Sequence, residues 1–131
     1  MAITCVFGNL EFDDAPCERV TFNSQGMRLT MELDTFNGPR VLLVFRAVVG
    51  HRYVPSVLVD RSALYVQGDY RKSVLRVEPS DWCTEVVTAA KQEGAPILGE
   101  LRHYVVPSDD GVWELLAKDC TLHSLGVVPS G

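Results

Sequence analysis

Between residues 27 and 34 the chain alternates: Met27, Leu29, Met31 and Leu33 are apolar, and Arg28, Thr30, Glu32 and Asp34 between them are polar. Successive side chains of a strand point to opposite faces, so this period of two predicts a strand with one face in the core and one in water. Asn37-Gly38-Pro39 then supplies turn chemistry, because Asn and Gly accept positive φ and Pro has no N–H to give a ladder. From Val41 the pattern becomes a nearly continuous apolar run, Val-Leu-Leu-Val-Phe-Arg-Ala-Val-Val, interrupted only by Arg46. Such a run over 40–49 predicts a central strand covered on both faces. Shorter strand candidates lie at 9–12 and 19–22, divided by Asp13-Asp14-Ala15-Pro16, and at 52–54, 57–59, 64–66 and 74–77. The polar stretch 67–72 reads as an exposed loop.

The period then changes to that of a helix. Pro79 stops the preceding strand, and the Ser80 hydroxyl can accept a free N–H of a first helical turn. Asp81 and Glu85 stand near the positive end of the helix dipole. Trp82, Val86, Ala89 and Ala90 recur on one face, widened by Cys83 and Val87, while Gly94 and Pro96 end the pattern. A helix over about 80 to 93 is expected, packing Trp82 and Val86 against a sheet. Residues 101–106, a five-residue turn 107–111 containing Pro, Asp and Gly, and residues 112–117 predict a hairpin, followed by a short strand at 121–125. The expected fold is α+β: a mostly antiparallel β-sheet, as a sandwich or half-barrel, packed by one helix in the C-terminal half.

Length and charge narrow the classes. A chain of 131 residues, 47% of them hydrophobic, is enough for one core, so residues 1–131 are expected to form a single domain. Twelve basic against seventeen acidic residues give a net charge of −5, which disfavours a nucleic-acid partner. The N-terminus has no basic and apolar export pattern, and the longest apolar run is far short of a membrane span, so a cytoplasmic location away from membranes is expected. The four cysteines, Cys5, Cys17, Cys83 and Cys120, form no C-x-x-C pair and read as reduced, metal-free thiols.

Candidate chemistry is sparse. His51, His103 and His123 show no metal-ligand spacing, no glycine-rich elbow surrounds a Ser or Cys, and a Cys–His pair is only formally open. No catalytic residue, metal ligand or cofactor is therefore assigned, and the chain reads as a non-enzyme. Basic and aromatic residues between Arg61 and Arg76 are diluted by Asp60, Asp69 and Glu78 and read as a solvated surface. The acidic groups at Glu11, Asp13, Asp14 and Glu18 lack calcium-loop spacing. Trp113 is different: it opens the second hairpin strand beside Asp109, Asp110 and Glu114, and an aromatic among acids at a loop edge is a candidate contact surface. Asp109, Asp110, Trp113 and Glu114 are the expected binding residues.

The segments Leu75-Arg76-Val77-Glu78-Pro79-Ser80-Asp81-Trp82, His103-Tyr104-Val105-Val106 and Asp110-Gly111-Val112-Trp113-Glu114-Leu115-Leu116-Ala117, with the run from Val41 to Val48, resemble a loose group of small bacterial proteins of unknown or immunity-type, toxin-neutralising function. The resemblance covers about half the chain in pieces, carries no active-site residue, and departs from the group over 50–61. It implies a protein partner, such as a toxin encoded nearby, and a homo-oligomer is compatible with it. The competing readings are an accessory or structural subunit and a small hydrolase.

Overall fold

The computed structural model describes residues 2–108 and 110–126. In chain order its strands are β1 (Ala2–Cys5), β2 (Arg19–Asn23), β3 (Arg28–Leu33), β4 (Val41–Arg46) and β5 (Gly50–Pro55). Two 3-10 turns, Ser56–Leu58 and Arg61–Leu64, lead to the short β6 (Tyr65–Val66) and β7 (Asp69–Tyr70). Then come β8 (Leu75–Glu78), the helix α1 (Asp81–Gln92), β9 (Arg102–Pro107), β10 (Gly111–Ala117) and β11 (Asp119–Ser124). They form a five-stranded sheet ordered β1-β8-β9-β10-β5 and a four-stranded sheet ordered β11-β4-β3-β2, with every pairing antiparallel, and a separate β6–β7 ribbon. The fold is α+β, as expected.

The alternation in β3 sets the register of the four-stranded sheet. Leu29, Met31 and Leu33 stand opposite Phe45, Leu43 and Val41, and all six are buried. Their face meets Tyr104, Val106, Leu115 and Ala117 of the five-stranded sheet, with Phe45 edge-on to Tyr104 at 5.6 Å between ring centroids. Two sheets sharing one apolar layer make a sandwich. The opposite face of the five-stranded sheet carries a smaller cluster, Leu75, Val77, Val105 and Val112, covered by Val59, Leu64 and Val66 of the 56–72 excursion. Strand β10 therefore serves both layers, with Trp113, Leu115 and Ala117 inward and Val112 outward.

Several elements differ from the pattern-based expectation, each for a local reason. The alternating strand begins at Arg28 because Met27 takes a left-handed φ of 51°. The apolar run is not one strand covered on both faces: β4 ends at Arg46, Ala47 turns with φ 52°, and the chain crosses to the other sheet as β5. Leu42 and Val44 are only half-buried. Residues 9–12 form no strand beyond an isolated bridge from Phe12 to Thr35, although Phe12 enters the core. Residues 57–59 lie mostly in a 3-10 turn. The expected loop at 67–72 contains a tight hairpin, where Gln67 and Gly68 both take positive φ and Tyr65 pairs with Tyr70.

Helix α1 forms where expected, with Cys83 N–H donating to Ser80 Oγ at 3.1 Å and Gly94 beyond its C-terminus at φ 76°. Its packing is lighter than the apolar stripe suggests. Trp82, Cys83, Val86 and Ala90 are half-buried, and no residue of the helix is fully buried. The excursion over 56–72 already covers Leu75, Val77, Val105 and Val112 of that sheet face, so the helix meets the remaining part, with Trp82 beside His103 and near Leu116. Leu115→Ala, in the inter-sheet core, should therefore cost about 3 kcal/mol or more in chemical denaturation, and Val86→Ala less than about 1 kcal/mol.

Candidate functional site

Three polar side chains stand on the helix-facing side of the five-stranded sheet. On β9, His103 lies opposite Val77 and shares its face. On β10, Glu114 lies opposite both Val105 and, on β5, Arg52. A carboxylate here is largely removed from water and needs partners to stay ionised. Arg52 supplies two hydrogen bonds, Nε to Oε2 at 2.7 Å and Nη2 to Oε1 at 3.2 Å. His103 Nε2 lies 2.9 Å from Oε1, and its Nδ1 lies 2.7 Å from Ser80 Oγ.

The proton positions follow from what each group can do. Ionised Glu114 only accepts, so His103 Nε2 carries the hydrogen; Nδ1 of the neutral ring then accepts from the Ser80 hydroxyl. Ser80 Oγ in turn accepts the Cys83 N–H that it caps. Arg52–Glu114–His103–Ser80 is thus a continuous relay from the sheet edge to the helix N-terminus. Trp82 covers it: its ring stands edge-on to His103 at 5.3 Å, and the Arg52 guanidinium lies 4.1 Å from its centroid. Burial by itself would raise the Glu114 pKa, but the hydrogen bonds from His103 and Arg52, with the Arg52 charge, hold it at about 2.

Clefts open at both ends of the relay. Ser80 and His103 help to line one of about 270 Å3, together with Cys83, Arg76, Arg102 and Glu100. Glu114 lies in the wall of another, of about 260 Å3, otherwise formed by Val54, Leu58, Val59, Ala63, Leu64, Val112 and Asp60. Two of the thiols, Cys83 and Cys120, are poor nucleophiles. Burial, then the Glu100 charge, raises the Cys83 pKa, and burial raises that of Cys120 strongly. Among the described residues, no group of three or more His, Cys, Asp or Glu side chains is placed to hold a metal, and no helix is long and apolar enough to cross a membrane.

The expected binding residues divide between two places. Asp110 and Trp113 meet at the hairpin end through Glu18, which accepts from Trp113 Nε1 at 3.0 Å and from Ser108 Oγ at 3.1 Å. Glu18 and Asp110 border a cleft of about 360 Å3 with Ala15, Pro16 and Cys17. Burial raises the Glu18 pKa, the bonds from Ser108 and Trp113 oppose this, and the Asp110 charge adds to the rise. Trp113 is half-buried against the inter-sheet core and the Tyr53 ring, 4.9 Å away. Glu114, adjacent to it in sequence, points to the other sheet face and belongs to the relay. Asp109 lies outside the described residues.

The strand period of two already separates Trp113 from Glu114, a signal present in the sequence. Nothing in the sequence joins Ser80 to His103, or Arg52 to Glu114 across 62 positions. No protein family, curated protein or solved structure matches the chain.

The depressed Glu114 pKa has a defined pH signature. Its folded value of about 2 lies below the ordinary 4.5, so the unfolded chain binds that proton more readily. The stabilisation is complete above pH 4.5 and is lost as pH falls toward 2, amounting to roughly 2 to 3 kcal/mol. Glu114→Gln should lose about 2 kcal/mol at neutral pH and show a shallower decline below pH 4.5 than the wild type, measured by denaturant unfolding at a series of pH values.

Proposed function

We propose that the protein acts, without catalysis in this role, by binding another protein through the end of the sandwich that carries the β9–β10 turn. One observation carries the reading: Val57 and Leu58 are 91% and 74% exposed, side by side on a backbone that is itself fixed. Pro55 pairs with Gly111, Ser56 N–H donates to Asp110 O at 3.0 Å, and Val59 N–H donates to Ser56 O at 3.1 Å. Large apolar side chains on ordered backbone lose little conformational entropy on docking, which favours their use as anchors.

The surroundings support an electropositive partner. Asp110 O accepts the Ser56 N–H that precedes the apolar pair, Asp60 follows it by two positions, and the whole chain carries a charge of −5. An acidic rim speeds association with a basic protein at a rate that falls with salt. Together with the resemblance to immunity-type proteins, this makes neutralisation of a toxin by direct contact in the cytoplasm the specific proposal. The contact residues are then Val57, Leu58 and Asp110, with Trp113 holding the Glu18 side of the platform from behind. Gly111 belongs to the same platform, since a Cβ there would run into the Tyr53 ring.

Co-expression with the product of the adjacent gene tests the proposal. The two should co-purify; Val57→Asp combined with Leu58→Asp should raise Kd by about 100-fold or more while leaving the melting temperature unchanged. Asp110→Asn should chiefly lower the association rate and its salt dependence. Unchanged affinity in the double variant would remove this surface as the contact.

A further inference from the structure

From the relay and the cleft beside it, we infer a second and independent activity: Ser80, His103 and Glu114 form an acyl-transfer centre that hydrolyses small uncharged esters. The three side chains have the mutual geometry of nucleophile, general base and orienting acid. The Ser80 hydroxyl donates to His103 Nδ1 at 2.7 Å, and His103 Nε2 is held by Glu114 at 2.9 Å. Arg52 fixes the carboxylate from its other side. Ser80 lies between strand β8 and helix α1, where it is the helix N-cap. Its backbone is extended, with φ −113° and ψ 120°.

Ser80 and His103, 8% and 7% exposed, both line the floor of the cleft of about 270 Å3. The amides of Asp81 and Trp82 have no acceptor within the helix, because the first N–H groups of any helix lack one. The charges in this cleft pair with one another: Arg76 with Glu100 at 2.7 Å and Glu78 at 3.5 Å, and Arg102 with Glu100 at 3.4 Å. The formal charges of Arg76, Arg102, Glu78 and Glu100 cancel, while Arg76 Nε and Arg102 Nε are buried with no hydrogen-bond partner; this and the cleft's volume suit a short, uncharged ester whose oxygens accept.

In the reaction, Ser80 Oγ bonds to the ester carbonyl carbon as its proton passes to His103 Nδ1. The C–O bond to the leaving group then breaks, and the alcohol departs with that proton. Water next attacks the acyl-serine, giving one proton to His103; the acid leaves, and the proton returns to Ser80 Oγ. Glu114 remains ionised throughout and keeps the imidazole in the required tautomer. As an acyl ester, Ser80 Oγ can still accept the Cys83 N–H, so the helix cap survives the cycle.

The test treats the full chain with a fluorophosphonate, maps the modified residue by mass spectrometry, and measures hydrolysis of p-nitrophenyl acetate. Covalent modification at Ser80, dependent on His103, is expected. Ser80→Asn retains a side chain that caps helices well but has no nucleophile. It should fold with an intact thermal transition, lose labelling, and hydrolyse at least about 100-fold more slowly. Absence of label at Ser80 in the folded wild-type protein overturns the inference whether or not any variant folds, as does a Ser80→Asn protein of undiminished rate. Neither result bears on the Val57–Leu58 surface.

Discussion

One buried carboxylate organises this molecule. Glu114 sits on a sheet face that the excursion and the helix together shield from water, its side chain only 18% exposed. An ionised group in that position is tolerated only when hydrogen-bonded and charge-compensated. Arg52 and His103 meet the requirement, and by doing so they fix other elements: Arg52 ties the edge strand β5, and His103 passes the constraint to Ser80. Helix α1 is consequently anchored at its N-terminus by a polar chain and by Trp82. An apolar face pressed into a core plays little part, since none of its side chains is fully buried.

The alternation along β10 makes the arrangement hold together. Inward residues Leu115 and Ala117 complete the inter-sheet core, and outward Val112 completes the smaller cluster under the excursion. The same two-residue period sends Trp113 to Glu18 and Glu114 to His103. Two surfaces of different character result from one strand. At the hairpin end, a rigid backbone displays Val57 and Leu58 beside acidic groups, an arrangement suited to holding a protein. At the helix end, a hydroxyl, an imidazole and a carboxylate stand in line at a cleft, an arrangement suited to moving a proton.

Local features were legible in the sequence wherever a short segment determined its own state. The β3 alternation, the C-terminal hairpin, the Ser80 cap and the stop at Gly94 all depend on neighbouring residues, and all appear in the structure. The failures involve distant partners or backbone signs. Ala47 carries no mark of its left-handed φ, so the apolar pattern alone predicts one continuous strand. Residues 57–59 have strand composition, but Ser56–Leu58 closes into a 3-10 turn directly after β5. The amphipathic stripe of α1 indicated a buried helix, whereas the excursion already covers Leu75, Val77, Val105 and Val112 of that face. Of the site, Asp110 and Trp113 were found together; Glu18, Val57 and Leu58 were missed, because their roles depend on contacts across the fold. In the sequence Ser80 has the position of a cap and His103 shows no metal-ligand spacing, and only their juxtaposition gives them a further meaning.

A directed relay from Glu114 through His103 to Ser80 joins sheet and helix. Its most direct measurement is the nitrogen NMR of the His103 ring, recorded at a pH where the imidazole is uncharged. One fixed tautomer is expected, with the proton on Nε2, an exchange-protected Nε2–H, and Nδ1 shifted as a hydrogen-bond acceptor. A proton found on Nδ1, or ring nitrogens averaged between tautomers as in a solvent-exposed histidine, would contradict it.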